Sequence, residues 1–255
     1  MIEVEGIAKK FKLSRKQLRE MEKRPSQPFV WAVDGVSFVC RPGRIFTLLG
    51  PNGAGKTTTL RLLATMLKPE RGRIHVAGYD TVTEAEMVRR RIGFLTGSTG
   101  LYARLSPAEL VRYYADLHGM DRGEFQKRRD DLFALLGIDE FAHRRIATLS
   151  SGMKQKVSIA RTMIHDPEVV IFDEPTVGLD VVTARHIIQL IRSCRDQGKT
   201  VIFSTHIMGE VALLSDDLAV IHRGRLVHSG PFDSFRLQMK SRSLEDEFIR
   251  LVGEA

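Results

Sequence analysis

Apolar positions along this chain fall into two periods. Ile2-Glu3-Val4-Glu5 and the stretch 32–39 alternate apolar with polar residues, the period of a half-buried strand. Ile45-Phe46-Thr47-Leu48-Leu49, Val169-Val170-Ile171-Phe172 and Thr200-Val201-Ile202-Phe203-Ser204 are instead continuous apolar runs, as expected of parallel strands covered on both faces. Shorter strand patterns occupy 74–78 and 92–95, and 218–222 with 225–228 read as a hairpin turning at Arg223-Gly224. Between the runs, helical spacing takes over. Leu60, Leu63, Ala64 and Leu67 predict a helix over 59–67, and Met153, Val157, Ala160 and Ile164 repeat at i, i+4, i+7 and i+11. Ala184, Ile187, Ile188, Ile191 and Cys194 form a third stripe, and 244–252 reads as a short amphipathic helix.

From Ser106 to about Gly137 the pattern is helical. Ser106-Pro107-Ala108-Glu109 has a Ser N-cap, Pro at the first position and Glu at the third, and Leu132, Leu135 and Leu136 supply the apolar face of the next helix. The elements predict one α/β domain: a largely antiparallel β layer over 1–49, an all-helical insert over about 100–148, and a mixed-sheet core from the remainder. Residues 12–24 hold six basic and two acidic residues around only Leu13, Leu18 and Met21, the pattern of a short solvated helix or loop, closed by Pro25 and Pro28.

Composition narrows the class. At 255 residues, 43% hydrophobic and 27% charged, the chain is an ordinary globular one with enough length for a full core. No apolar run approaches a membrane span, and Met1-Ile2-Glu3-Val4-Glu5 is not the start of a signal peptide. Cys40 and Cys194 stand far apart with no ligand spacing around them, as reduced core thiols of a cytoplasmic protein do. The net charge of +8 raises nucleic acid or an anionic membrane surface as partners. It is scattered, however, with no aromatic-interleaved basic motif, so no specific nucleic acid is expected.

The candidate chemistry sits at the ends of the apolar runs. Gly50-Pro51-Asn52-Gly53-Ala54-Gly55-Lys56-Thr57-Thr58 fits the phosphate-binding loop, and it lies between a predicted strand and a predicted helix as that loop must. Its backbone N–H groups and the helix N-terminus suit phosphate, Lys56 reaches the outer phosphates, and the Thr57 hydroxyl suits Mg²⁺. The run at 169–172 ends in Asp173-Glu174: the first carboxylate can hold Mg²⁺ opposite Thr57, and the second can polarise an attacking water. Ser150 and Gly152 open the helix that carries Met153, a further anion-compatible N-terminus or an ordinary Ser N-cap.

Taken in order, these motifs resemble those of ATP-binding cassette (ABC) ATPase subunits over nearly the whole chain. Residues 50–58 are similar to the Walker A loop, Leu149-Ser150-Ser151-Gly152-Met153 to the LSGGQ signature, and 169–174 to Walker B; Gly178-Leu179-Asp180 is similar to the D-loop and His206 to the switch histidine. The resemblance implies a P-loop NTPase cassette that binds ATP and Mg²⁺ and works as a head-to-tail homodimer or paired with another ABC ATPase subunit. Residues 50–58 would hold the phosphates and Thr57 with Asp173 the Mg²⁺. Glu174 would be the general base, with Lys56 and His206 at the γ-phosphate. Ser150 and Gly152 would reach the partner's ATP, with Asp180 beside them. Phe11 resembles the aromatic that stacks on adenine, and Phe29 and Trp31 are alternatives.

Two motifs depart from the family pattern. Ser151 and Met153 replace a glycine and a glutamine of the signature, and Gly97 stands where a Gln usually contacts Mg²⁺ and water. Residues 94–97 with Gly100-Leu101-Tyr102 are similar to a subset of export-type subunits related to sodium and drug efflux ATPases. Such a subunit would sit on the cytoplasmic face of the membrane, bound to separate integral membrane permease subunits. The alternative is a soluble non-transport ABC ATPase, for example in cofactor assembly.

Overall fold

The computed structural model describes residues 1–13, 28–96 and 100–253; most of the basic stretch 12–24, and Gly97, lie outside them. Two sheets organise the described chain. The larger has the order β10-β9-β3-β8-β7-β6, from strands β3 (Arg44–Leu49), β6 (Ile92–Thr96), β7 (Val169–Asp173), β8 (Thr200–Thr205), β9 (Asp217–His222) and β10 (Arg225–Pro231). β3 runs parallel to β8 and β9, and β7 runs parallel to β6 and β8, while only β10 is antiparallel. The apolar runs form this core because both of their faces are covered. Val170, Phe172, Val201 and Phe203 point to one cluster, and Val169, Ile171 and Ile202 to the other, the period of two expected of a pleated strand. In register, Leu49 pairs with Thr205, and Asp173 lies between Thr96 and Ser204. The carboxyl ends therefore share one edge, where open α/β sheets place their ligands.

The smaller sheet has the order β2-β1-β4-β5 and is antiparallel, from β1 (Ile2–Lys12), β2 (Phe29–Cys40), β4 (Arg71–Val76) and β5 (Tyr79–Asp80). Here the expected β layer over 1–49 needs two changes. β3 belongs to the parallel sheet, and the strands at 71–80 complete the antiparallel one. Ile2 pairs with both Cys40 and Val76, so the layer closes across a long sequence separation that local pattern does not show.

Helix α1 (Lys56–Leu63) is shorter than the predicted 59–67. Thr65 adopts φ 60°, its N–H donates to Leu62 O and the Met66 N–H donates to Arg61 O. That pair of bonds ends a helix through a left-handed residue, here without the usual glycine. Helix α2 (Ala85–Arg91) leads into β6. Between β6 and β7 come α3 (Pro107–Leu117), α4 (Arg122–Leu136), two single 3₁₀ turns and α5 (Ser151–Met163). The capping box at Ser106 is complete: Glu109 N–H donates to the Ser106 hydroxyl, and Glu109 Oε2 accepts from Ser106 N. In α4 the buried face is Phe125, Leu132, Phe133 and Leu136; Leu135, expected there, is 47% exposed because it lies a quarter turn from its neighbour Leu136.

Helix α6 (Val181–Asp196) and α7 (Met208–Leu214) follow the next two strand ends, and α8 (Phe232–Gln238) and α9 (Leu244–Gly253) close the chain. These last two pack Phe232, Phe235, Phe248 and Leu251 in a separate apolar cluster with Leu49, Leu218 and Val220. Among the described residues no helix is long and apolar enough to cross a membrane.

Candidate functional site

β3 delivers the phosphate-binding loop at the shared edge. A Cβ on Gly50 would sit 2.4 Å from Ile221 O, and one on Gly55, at φ 109°, would sit 2.3 Å from Ala32 O. Backbone approaches that close admit only glycine. No side chain caps the start of α1, so its N-terminal turn faces the loop. Lys56, 4% exposed, donates from Nζ to Gly50 O at 2.7 Å and Pro51 O at 3.1 Å, and lies 3.0 Å from Glu174 Oε1. The Thr57 hydroxyl donates to Asp173 Oδ1 at 3.0 Å. Pro51, Asn52, Gly53, Thr58 and Glu174 help line a cavity of about 220 Å³ over this loop.

β7 and β8 deliver the acidic half. Glu174 sits at φ 48°, a left-handed conformation that costs a non-glycine residue about 1–2 kcal/mol. Its N–H donates to Ser204 O at 3.2 Å and to Ser204 Oγ at 3.1 Å, while the Ser204 hydroxyl donates to Asp173 Oδ1 at 2.7 Å. One buried serine thus holds the Asp173 carboxylate and the backbone of Glu174. His206 Nδ1 lies 3.2 Å from Glu174 Oε1. Burial pushes the Glu174 carboxyl up, but hydrogen bonds from Lys56 and His206, together with their charges, outweigh it and hold the group below the ordinary carboxylate range. It is therefore ionised at neutral pH and able to accept a proton. The Thr57 hydroxyl beside the Asp173 carboxylate is a hard-oxygen set that fits Mg²⁺.

Lys56, Thr57, Asp173, Glu174 and His206 thus come together. Ser150, Gly152 and Asp180 form a second group outside the loop cavity. Ser150 is the N-cap of α5, accepting from Met153 N at 3.3 Å, and it is exposed. Asp180 caps α6, taking the Thr183 N–H at 2.9 Å and its hydroxyl at 2.8 Å. A Cβ on Gly152 would lie 3.3 Å from Thr183 Oγ1, so the two helix starts abut. Phe11 pairs with Val30, and Lys9 with Val33, on the face whose Val33 packs in one cluster with Ala54 of the loop. Trp31 and Phe29 take the opposite face, under Lys10 Nζ at 5.5 and 5.0 Å, and Arg71 lies 4.8 Å over Trp31.

Three contributors escaped the sequence reading. Ser204 reads as the polar end of a strand, and only its being the last residue before Thr205-His206 hinted at more. Gln155 Nε2 donates to Pro175 O at 3.2 Å, from α5 to the turn after Glu174. Glu210 binds the hydroxyls of Thr176 and Thr205.

A phosphate-binding loop after β3 and a carboxylate pair at the end of β7, parallel strands with β8 between them, define a P-loop nucleoside triphosphatase. The comparisons narrow that class. A family model described as ABC transporter matches residues 33–177. ABC transporter ATP-binding protein NatA of Bacillus subtilis (strain 168) is 41% identical over 221 residues, 86% of this chain and 90% of that protein. The linearmycin resistance ATP-binding protein LnrL of the same organism is 35% identical over 220 residues, 86% and 70% of the respective chains. Among solved structures, a dimeric ATP-binding cassette, MJ0796, in a post-hydrolysis state with ADP and Pi shares the fold at TM-score 0.77 and 24% identity, covering 91% of this chain and 98% of that one. The chain belongs to the ABC transporter family, as an ATP-binding and ATP-hydrolysing subunit.

Proposed function

We propose that this subunit drives export of a sodium- or drug-type substrate through separate membrane permease subunits, by closing head to tail on a second cassette around ATP. The observation that carries the reading is the division of the site. Lys56, Thr57, Asp173, Glu174 and His206 surround the phosphate loop, whereas the exposed Ser150 end of α5 lies outside its cavity and is free to meet a nucleotide held by another copy. Residues 50–58 hold the phosphates, and Thr57 with Asp173 would hold Mg²⁺, which supplies charge neutralisation on the phosphate chain when bound. Glu174 takes the proton of the attacking water, and His206 and Lys56 meet the γ-phosphate. Ser150 and Gly152 serve the partner's ATP, with Asp180 fixing the helix start beside them. The dimeric neighbour with ADP and Pi supports the paired arrangement. LnrL, named for linearmycin resistance, supports the drug-type substrate. The helices between β6 and β7, over about 100–148, form the insert that faces the membrane subunits, and the cassette sits on the cytoplasmic face.

The test is a pair of measurements. Glu174→Gln keeps ATP binding and lowers turnover about 10²–10⁴-fold, since only the base is lost. Mixed dimers of Ser150→Ala and Lys56→Ala subunits retain one intact composite site and a corresponding share of turnover. Wild-type turnover in Glu174→Gln removes the base, and mixed dimers no better than either variant alone remove the head-to-tail arrangement.

A further inference from the structure

The geometry points to Glu210 as a positioning residue for hydrolysis, a buried brace that ties the loop of Glu174 to the loop of His206. This rests on the reading of Glu174 as the base and adds a residue outside the lining of the loop cavity. Glu210 is 8% exposed on α7. One carboxylate oxygen accepts the hydroxyl of Thr176, two residues after Glu174. The other accepts the hydroxyl of Thr205, the residue before His206, at 2.5 Å. Thr205 Oγ1 in turn accepts the Ile207 N–H at 3.0 Å, so both sides of His206 are tied.

Two physical points favour positioning over plain packing. A carboxylate taken out of water is costly to bury, and an apolar side chain of similar size would fill the same space at lower cost. Glu174, moreover, holds a strained φ of 48°, and a strained residue persists only where its surroundings over-determine it. Three contacts do so in succession. Ser204 takes the Glu174 N–H, Gln155 donates to Pro175 O, and Glu210 holds the Thr176 side chain. The turn then runs on through Val177 and Leu179 to Asp180, with the Leu179 N–H on Thr176 O at 3.2 Å. A push on the Asp180 end by a second cassette would therefore reach His206 through one side chain.

The experiment uses the full chain and separates turnover from binding. Glu210→Ala is expected to lower kcat about 10- to 100-fold, the scale of an ångström-sized misplacement, with ATP affinity within about twofold. Glu210→Gln can still accept one hydroxyl and donate its amide to the other, and it recovers most of the lost turnover. Thr176→Val removes one hydroxyl at nearly constant volume, so it reports even if Glu210→Ala folds poorly. It lowers kcat in the same sense, and adding it to Glu210→Ala costs little more, because both cut the same tie. The brace is overturned if Glu210→Ala and Thr176→Val keep kcat within about twofold, or if ATP affinity falls in parallel with kcat. Glu174→Gln run alongside separates the two readings. Wild-type turnover there overturns the base and the brace with it, whereas loss there beside unaffected Glu210 and Thr176 variants overturns the brace alone.

Discussion

Phe11 and Trp31 lie on opposite faces of the same pair of strands, which makes the adenine contact a question that single substitutions answer. Phe11 and Trp31 are 40% and 39% exposed, but Phe11 lies on the face that adjoins the loop, while the Trp31 ring carries Lys10 and Arg71 over it. A base stacked on an aromatic ring gains about 1–3 kcal/mol, so Phe11→Ala should raise the KM for ATP about 5- to 150-fold and leave kcat little changed. Trp31→Ala should leave KM within about twofold and cost only the packing of its two cations. Steady-state ATPase kinetics on the two variants decide between them, and a KM shift confined to Trp31→Ala would reverse the assignment. At this scale the gathering of the site was legible wherever a residue type and its position coincide, as for Lys56, Asp173 and Glu174. Ser204 and Glu210 were not, since their roles come from partners 31 and 34 residues away.

At the scale of elements, one joint shows how secondary structure is locked together. His165, just past α5, stacks on His118 at the end of α3, with ring centroids 3.7 Å apart and planes 5° from parallel. Its Nε2 lies 3.0 Å from Ile92 O, at the start of β6. Burial, then His118 beside it, push the His165 ring down to about 4, and burial lowers His118 as well. Because the folded value lies below the unfolded one, the unfolded chain binds the proton first. Stability is therefore intact above about pH 6.5 and is lost as pH falls toward 4, by on the order of 3 kcal/mol for His165. Denaturant unfolding at pH 7 and 4.5 checks this: the wild type should lose more than His165→Gln, and parallel losses would dismiss the joint. Neither histidine stood out in the sequence, because each is unremarkable on its own helix and only the packing of α3 against α5 brings them together. Elements with local signals, the Ser106 capping box above all, were readable. The membership of β3 and of the strands at 71–80 was not, because a strand's pattern states which faces are covered and not which neighbour it pairs with.

For the whole molecule, the proposed pairing with a permease can be tested at one surface. Leu101 and Leu105 pack against the core cluster of the helical side, but Tyr102 is 55% exposed, with its ring edge-on to Tyr113 at 5.9 Å. A large aromatic kept at the surface with a second one beside it makes an anchor for a partner, since the ring buries much apolar area and its hydroxyl tolerates a wet rim. Tyr102→Ala should keep the melting temperature within a few degrees and lose co-purification with the membrane subunits. A drop of many degrees in the isolated subunit would make Tyr102 part of the core instead.

The strand order β9-β3-β8 also bears on how the chain is made. β3, which carries the phosphate loop, lies early in the chain, yet both strands that flank it come from residues 200–222. During synthesis, Ile45 to Leu49 must wait unpaired until residues 200–222 have left the ribosome. Non-local parallel pairing of this kind closes slowly and leaves apolar edges exposed meanwhile. The nascent chain thus acquires its grip on nucleotide only after β8 and β9 have joined β3, and any premature stop before those two strands yields a loop with nothing to hold it open.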